Sequence, residues 1–244
     1  MGLRLLCVVA HPDDECFAFG GALALAAQRG VDVHVVCFTD GQAATNRGSS
    51  CSSEDLGRIR RDEFVRSCNV LGVAHAELLD YQDAQLEFAD FSRAAACIVQ
   101  RIRAFRPHVV VTFGPDGALN THPDHTMVSS FTSAAFHWAA SPKRFPDLGP
   151  IHHADRLFVL SAHFCLPDRP APMPIPWTLT LDIRSVMARK QEAFRQHTSQ
   201  APLMESTKEL FEKHGQCEFY TLVAAREPQP ATQTTDMFAG LPED

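Results

Sequence analysis

The feature that most constrains this chain is a set of short, nearly continuous apolar runs, at residues 5–10, 33–38 and 109–111, set between longer helix-like stretches. A strand that is apolar without alternation is buried on both faces, which is the mark of a parallel sheet covered by helices. Residues 3–10 read as a strand, 19–29 as an Ala/Leu-rich helix and 31–39 as a second strand, a βαβ unit whose crossover is right-handed by default. A charged helix follows over 53–71, with Ser53 as its capping candidate, acidic residues in its first turn and Gly72 at its end. A short strand at 77–79, a helix over 91–105 and a strand over 108–113 repeat the alternation, with Pro107 marking a boundary. The expected fold class is α/β: a Rossmann-like, mostly parallel central sheet flanked by helices, in a single domain.

Beyond a helix at 123–140 the chain is richer in proline, and 141–150 and 166–176 read as loops able to wall a pocket. Strands at 157–161, 178–181 and 218–224 and helices at 185–197 and 205–213 complete the domain over residues 1–226. Residues 227–244 are polar with several prolines and read as a mobile C-terminal tail.

With 244 residues the chain is long enough for one sizeable core, and its formal charge of −7 offers no basic footprint for nucleic acid, so a small molecule is the expected partner. No apolar stretch reaches membrane-spanning length and no signal-peptide pattern opens the sequence. The eight cysteines are scattered without a C-x-x-C pair. That usage points to a reducing cytoplasm rather than to a zinc ribbon.

Two His/Asp motifs carry the chemistry. His11-Pro12-Asp13-Asp14-Glu15 follows the first strand, and His122-Pro123-Asp124-His125 follows the loop after the strand at 108–113. In an open α/β sheet, ligands bind outside the carboxyl ends of strands where strand order reverses, so the motifs should meet in that crevice. Two imidazoles and a carboxylate, from His11, Asp14 and His125, can hold Zn²⁺ at ~2.0–2.2 Å and leave a fourth position for water. Bound water at such an ion has its pKa lowered to about 7 and can attack an amide carbonyl. Asp13, beside Asp14 but directed differently, is the expected general base. His122, as a protonated imidazole, is the expected stabiliser of the oxyanion, and Asp124 is expected to orient His122 and favour its charge.

The paired motifs resemble the signature of the PIG-L (LmbE-like) N-acetylglucosaminyl de-N-acetylase family. The likeness continues in Arg60 and Glu63 leading to Leu71-Gly72, and in Lys190, His197, Ser199 and Gln200, so that it runs in order over roughly residues 3–200. The resemblance implies a Rossmann-like fold, a divalent metal that is usually zinc, and hydrolysis of N-acetyl groups on glucosamine-type substrates. The implied ligands and base fall on the positions reached above. Thr121 departs from the family, which often has glycine before the second motif. Two rival functions are an amidase acting on a larger N-acyl or cysteinyl conjugate and a metal- or nucleotide-binding module without turnover. The intact Asp13 and the lack of a G-x-G-x-x-G fingerprint argue against the second.

Other residues have plainer expectations. Glu15 reads as a cap near a helix N-terminus. Arg47, in a polar loop, is a candidate contact for a sugar hydroxyl or phosphate. Arg60 and Glu63 read as an ordinary i,i+3 helical pair, and His197 as a cation favourable at a helix C-terminus. His152, His153, His163 and His214 lack a partner motif, and no second metal is expected from them.

Overall fold

The computed structural model describes residues 2–118, 120–164, 175–230 and 232–242. Its strands and helices run in chain order as β1 Arg4–Val9, α1 Asp14–Phe17, α2 Gly20–Gln28, β2 Asp32–Thr39, α3 Ser53–Leu71, β3 His75–Tyr81, α4 Phe91–Phe105, β4 Val109–Thr112, α5 Pro123–Ala139, β5 Arg156–Ser161, β6 Leu179–Asp182, α6 Met187–Arg195, α7 Ala201–Ser206, α8 Lys208–His214 and β7 Cys217–Ala225. The expected α/β domain is therefore present. The sheet has seven strands in the order β3-β2-β1-β4-β5-β7-β6. Strands β3 to β5 are parallel neighbours, and β7 runs antiparallel between β5 and β6.

Burial on both faces explains the continuous apolar runs. Leu5 to Ala10 and Val109 to Val111 have no exposed surface, because α2, α3 and α6 pack together in one layer while α4 and α5 form the other. The strand order reverses between β1 and β4, so the segments leaving those two strands diverge and open a crevice at their carboxyl ends. Among the described residues no helix is long and apolar enough to cross a membrane.

Local signals set most boundaries. Ser52, one residue before the expected cap, is the N-cap of α3 and accepts the Asp55 N–H at 3.0 Å; Gly72 closes the helix at φ 82°. Asp90 caps α4 by accepting from the Arg93 N–H at 2.7 Å. The single helix expected over 205–213 is instead two. Ahead of the break at Thr207, whose hydroxyl donates back to the Leu203 carbonyl at 2.7 Å, lies an extra turn that begins at Ala201.

Two expectations about the loops change. Residues 141–150 do not line the site cavity; they wrap the buried Arg103, whose guanidinium donates to the carbonyls of Ala139, Ser141 and Arg144 at 3.1, 3.0 and 2.8 Å. Of the second loop, residues 166–174 lie outside the described residues. The segment read as a tail is laid on the sheet: Thr234 bridges to Leu179, Arg156 donates to the Met237 and Ala239 carbonyls, and Met237 and Phe238 are only 3% exposed. Its polar composition hid these two apolar anchors.

Candidate metal centre and active-site cavity

Both motifs reach the crevice between β1 and β4. His11 sits two residues beyond β1, and Asp14 opens α1. His122 is the N-cap of α5, with Pro123 in its first turn and His125 one turn in. Gly117, in the loop between β4 and α5, has φ 73°, and a Cβ there would lie 2.8 Å from the His122 carbonyl oxygen. Only glycine lets that loop pass so close to the motif.

Donor atoms from three residues converge. His11 Nδ1 is 3.4 Å from Asp14 Oδ2, His125 Nε2 is 3.2 Å from Asp14 Oδ1, and the two nitrogens are 3.3 Å apart. Ligands at ~2.0–2.1 Å around a tetrahedral ion stand about 3.3 Å from one another, and each of these contacts has that length, the two imidazoles meeting different oxygens of Asp14. The other ring nitrogens have acceptors of their own. His11 Nε2 lies 3.2 Å from Asp124 Oδ2 and 3.0 Å from Asp83 Oδ1, and His125 Nδ1 lies 3.1 Å from the Gly117 carbonyl. Placing the protons on those nitrogens leaves the lone pairs of His11 Nδ1 and His125 Nε2 directed at Asp14, the usual arrangement of metal-binding imidazoles. The His125 ring is further fixed by stacking on Phe113, with centroids 3.9 Å apart.

The electrostatics favour a cation. Burial works against charge on His11, yet Asp124, Asp14 and Asp83 outweigh it and raise its pKa well above the ordinary value. Burial likewise opposes ionisation of Asp14, and the His125 and His11 imidazoles hold its carboxyl well below the usual range. Carboxylates that favour positive charge on a buried imidazole would equally favour a dication held in its place.

Asp13 stands beside this set without joining it. It has φ 104°, outside the region ordinary residues prefer, and its Oδ2 accepts from Arg60 Nη2 at 3.0 Å. Arg60 also donates to the Pro12 and Gly41 carbonyls, so one buried guanidinium fixes both the turn and the carboxylate. Burial pushes the Asp13 pKa up to about 6, Arg60 pulls against it, and Asp14 adds to the rise. That value suits a group that must both take and release a proton.

Several expected roles are redistributed. The Asp124 carboxylate orients His11 rather than His122, and it also accepts the Ala84 and Leu86 N–H groups at 2.7 and 3.1 Å. His122 is linked to Asp124 through the backbone: its Nδ1 accepts the Asp124 N–H at 3.2 Å. Burial, followed by His11 and His125, lowers the His122 pKa, which disfavours an imidazolium there. With Nδ1 occupied as an acceptor, the neutral ring carries its proton on Nε2 and remains a donor. A His122 nitrogen lies within 4.8 Å of nitrogens of His11 and His125.

Arg47 is not brought to the cavity, and its guanidinium rests 3.3 Å from the Ser53 hydroxyl. The Arg60/Glu63 pair is not an intrahelical one: Arg60 serves Asp13, while Glu63 accepts from the Ser199 N–H at 2.8 Å and the Ser199 and Thr198 hydroxyls at 2.6 and 2.7 Å. Glu15 does reach back to the Asp13 N–H at 2.9 Å as a cap would, but its other oxygen meets His197 Nε2 at 2.7 Å in the interior. His197 is thus a buried partner of Glu15 rather than an exposed cation near a helix end. His163 and His214, which no motif in the sequence pairs, face each other at 3.0 Å.

Sequence reasoning missed Asp83. It follows β3 at a strand carboxyl end, the same signal that located the two motifs, but no flanking histidine marked it.

The centre opens into a cavity of about 980 Å³ lined on one side by Asp13, Asp14 and His125 and on the other by α7, α8 and β7.

Residues 6–136 match the family model described as PIG-L, GlcNAc-PI de-N-acetylase. A 1D-myo-inositol 2-acetamido-2-deoxy-alpha-D-glucopyranoside deacetylase from Rhodococcus jostii is 31% identical over 98% of each chain. A mycothiol S-conjugate amidase from Streptomyces coelicolor is 34% identical over 59% of this chain and 55% of its own. Among solved structures, the N,N'-diacetylchitobiose deacetylase from Pyrococcus horikoshii superimposes with a TM-score of 0.75 at 23% identity, covering 91% of this chain and 84% of the other.

Proposed function

The chain belongs to the PIG-L family of GlcNAc-PI de-N-acetylases, and from that premise we propose that it is a zinc-dependent N-deacetylase that hydrolyses an N-acetyl group on an amino sugar or a small conjugate of one. The observation that carries this reading is the convergence of His11 Nδ1, His125 Nε2 and the two oxygens of the Asp14 carboxylate, with contacts of 3.2–3.4 Å. Another divalent metal of similar coordination would serve the same donors. The free cysteines suit a reducing compartment, and a cytoplasmic location belongs to the same reading.

When bound, zinc supplies Lewis acidity and lowers the pKa of water at its open position. The residues supply the rest. The Asp13 carboxylate takes the proton of the attacking water and passes it to the leaving nitrogen, converting a poor amide leaving group into an amine. His122 donates from Nε2 to the oxygen that becomes negative as the carbonyl carbon turns tetrahedral. It does so as a neutral imidazole, and it needs no carboxylate partner to remain a donor. Asp124 and Asp83 hold the His11 ring, and Arg60 holds Asp13.

The mycothiol S-conjugate amidase keeps a larger-conjugate amidase as the second reading, favoured only by the size of the cavity. Zinc stoichiometry and acetate release from a panel of free and conjugated N-acetyl amino sugars test the proposal. Asp13→Asn is the sharper variant than alanine, because asparagine tolerates positive φ and keeps the shape. It should retain zinc and lose roughly 10²–10⁴-fold in turnover. A zinc-replete wild type that releases no acid from any N-acylated amino sugar would refute the assignment.

A further inference from the structure

Resting on the deacetylase reading, we infer that the sugar this protein acts on carries an uncharged aglycone with an extended apolar face, an alkyl or aryl group, seated in the part of the cavity walled by α7 and α8.

Size comes first. An N-acetylhexosamine has about 15 non-hydrogen atoms and fills roughly 300 Å³, taking ~20 Å³ per atom at interior packing density. The cavity measures about 980 Å³. A sugar placed over Asp13 and His125 therefore leaves most of the volume to whatever is attached to it.

The walls of that remainder are apolar in an unusual way. Neither α7 nor α8 contains a single buried residue, yet Leu203, Leu210 and Phe211 all line the cavity. A helix normally turns its apolar stripe onto a core. Here Leu203 and Phe211 pack on the edge of the core without being buried by it, and Leu210 shares their cavity wall, so all three keep exposed surface that an apolar group would cover. Phe17 meets Phe211 edge-on at 4.9 Å, and Phe164 stacks on His214 at 4.1 Å with an interplanar angle of 16°, extending the apolar lining along one side.

Charge weighs against the obvious alternative, a phosphorylated aglycone, although His163 and His214 also line the cavity. Among the described residues, the cations lining the cavity are Lys190 and Lys213, and no arginine joins them. Lys190 is buried with its ammonium 2.6 Å from Glu218. Lys213 is left sharing the lining with Asp116 and Glu209. A phosphate or diphosphate would enter this chamber without the paired donors that such groups require.

Binding and turnover separate this inference from the reading beneath it. Calorimetry on the zinc-loaded Asp13→Asn variant compares N-acetylglucosamine, its octyl and phenyl glycosides, and N-acetylglucosamine 1-phosphate. The octyl and phenyl glycosides should bind at least tenfold more tightly than the free sugar, and the phosphate no more tightly. In the wild type the same ranking should show in kcat/KM, chiefly through KM. Leu210→Ser, on a helix without buried residues, should bring the octyl-to-free ratio to within about threefold of one, because burying each methylene is worth about 0.8 kcal/mol. Equal affinity for free and octyl sugars, tighter binding of the phosphate, or an octyl preference that survives Leu210→Ser overturns the inference. A Leu210-sensitive preference in a wild type that hydrolyses none of these compounds overturns the catalytic reading and leaves the chamber standing.

Discussion

Asp13 and Thr121 both adopt positive φ, at 104° and 52°, on the two segments that carry the motifs. For Asp13 the strain is held by the Arg60 guanidinium and the Glu15 carboxylate, both buried, and the residue lines the cavity. Such strain costs about 1–3 kcal/mol and persists only where neighbours over-determine it. Among the described residues Thr121 has local support alone, its N–H donating to the Ala118 carbonyl at 3.0 Å and its hydroxyl to the Asn120 carbonyl at 2.8 Å. The family's frequent glycine there now has a physical reason, since glycine adopts this conformation freely. Thr121→Gly should leave stability unchanged or raise it by up to about 1 kcal/mol in urea titrations, the relieved strain being partly offset by the entropy of glycine in the unfolded chain. Asp124 makes a different prediction. Because its carboxylate orients His11, Asp124→Ala should weaken zinc binding by roughly 10–100-fold in competition with a chelator, whereas a role on His122 alone would leave zinc affinity intact.

Between elements, the decisive contact is the buried Glu218 on β7. It accepts the Gly21 and Ala22 N–H groups at 2.7 and 2.8 Å at the start of α2, the Tyr220 hydroxyl at 2.7 Å, and the Lys190 ammonium of α6 at 2.6 Å. One carboxylate thus ties two helices to the last strand. The approach is close enough that a Cβ on Gly21 would sit 2.6 Å from the Glu218 carboxylate, so the glycine is required. Removing one member of a buried ion pair typically costs 3–5 kcal/mol, because the other charge is left without compensation. Glu218→Gln should therefore lose about that much in urea unfolding at neutral pH, and Lys190→Met added to it should recover part of the loss. If the single variant loses less than about 1 kcal/mol, the pair is not the tie described.

At the scale of the whole molecule, residues 232–242 complete the fold on the far side of the sheet from β3. Met237 and Phe238 are nearly fully buried, and Asp236 accepts from the Arg29 guanidinium at 3.0 Å through both carboxylate oxygens. Burying each large apolar side chain contributes about 1.5–3 kcal/mol, so deleting 232–244 should lower stability by several kcal/mol while the truncated protein, kept cold, still binds zinc. A truncation with unchanged unfolding would show that this segment is an appendage. The sequence alone determined the parallel sheet, because continuous apolar runs have only one economical burial, and it determined the crevice between β1 and β4 as the meeting place of two motifs that follow strand ends. It also named His11, Asp14 and His125, whose chemistry is that of metal donors wherever they meet. Partners drawn from distant segments were decided only in three dimensions: Asp124 with His11, Asp83 with His11, Arg60 with Asp13, and His197 with Glu15. The apolar chamber under α7 and α8 and the anchoring of the C-terminal segment belong with them. Local propensity and spacing report on neighbours along the chain, whereas a buried charge finds its counter-charge wherever the fold brings one within about 3 Å, and no periodicity in the sequence encodes that distance.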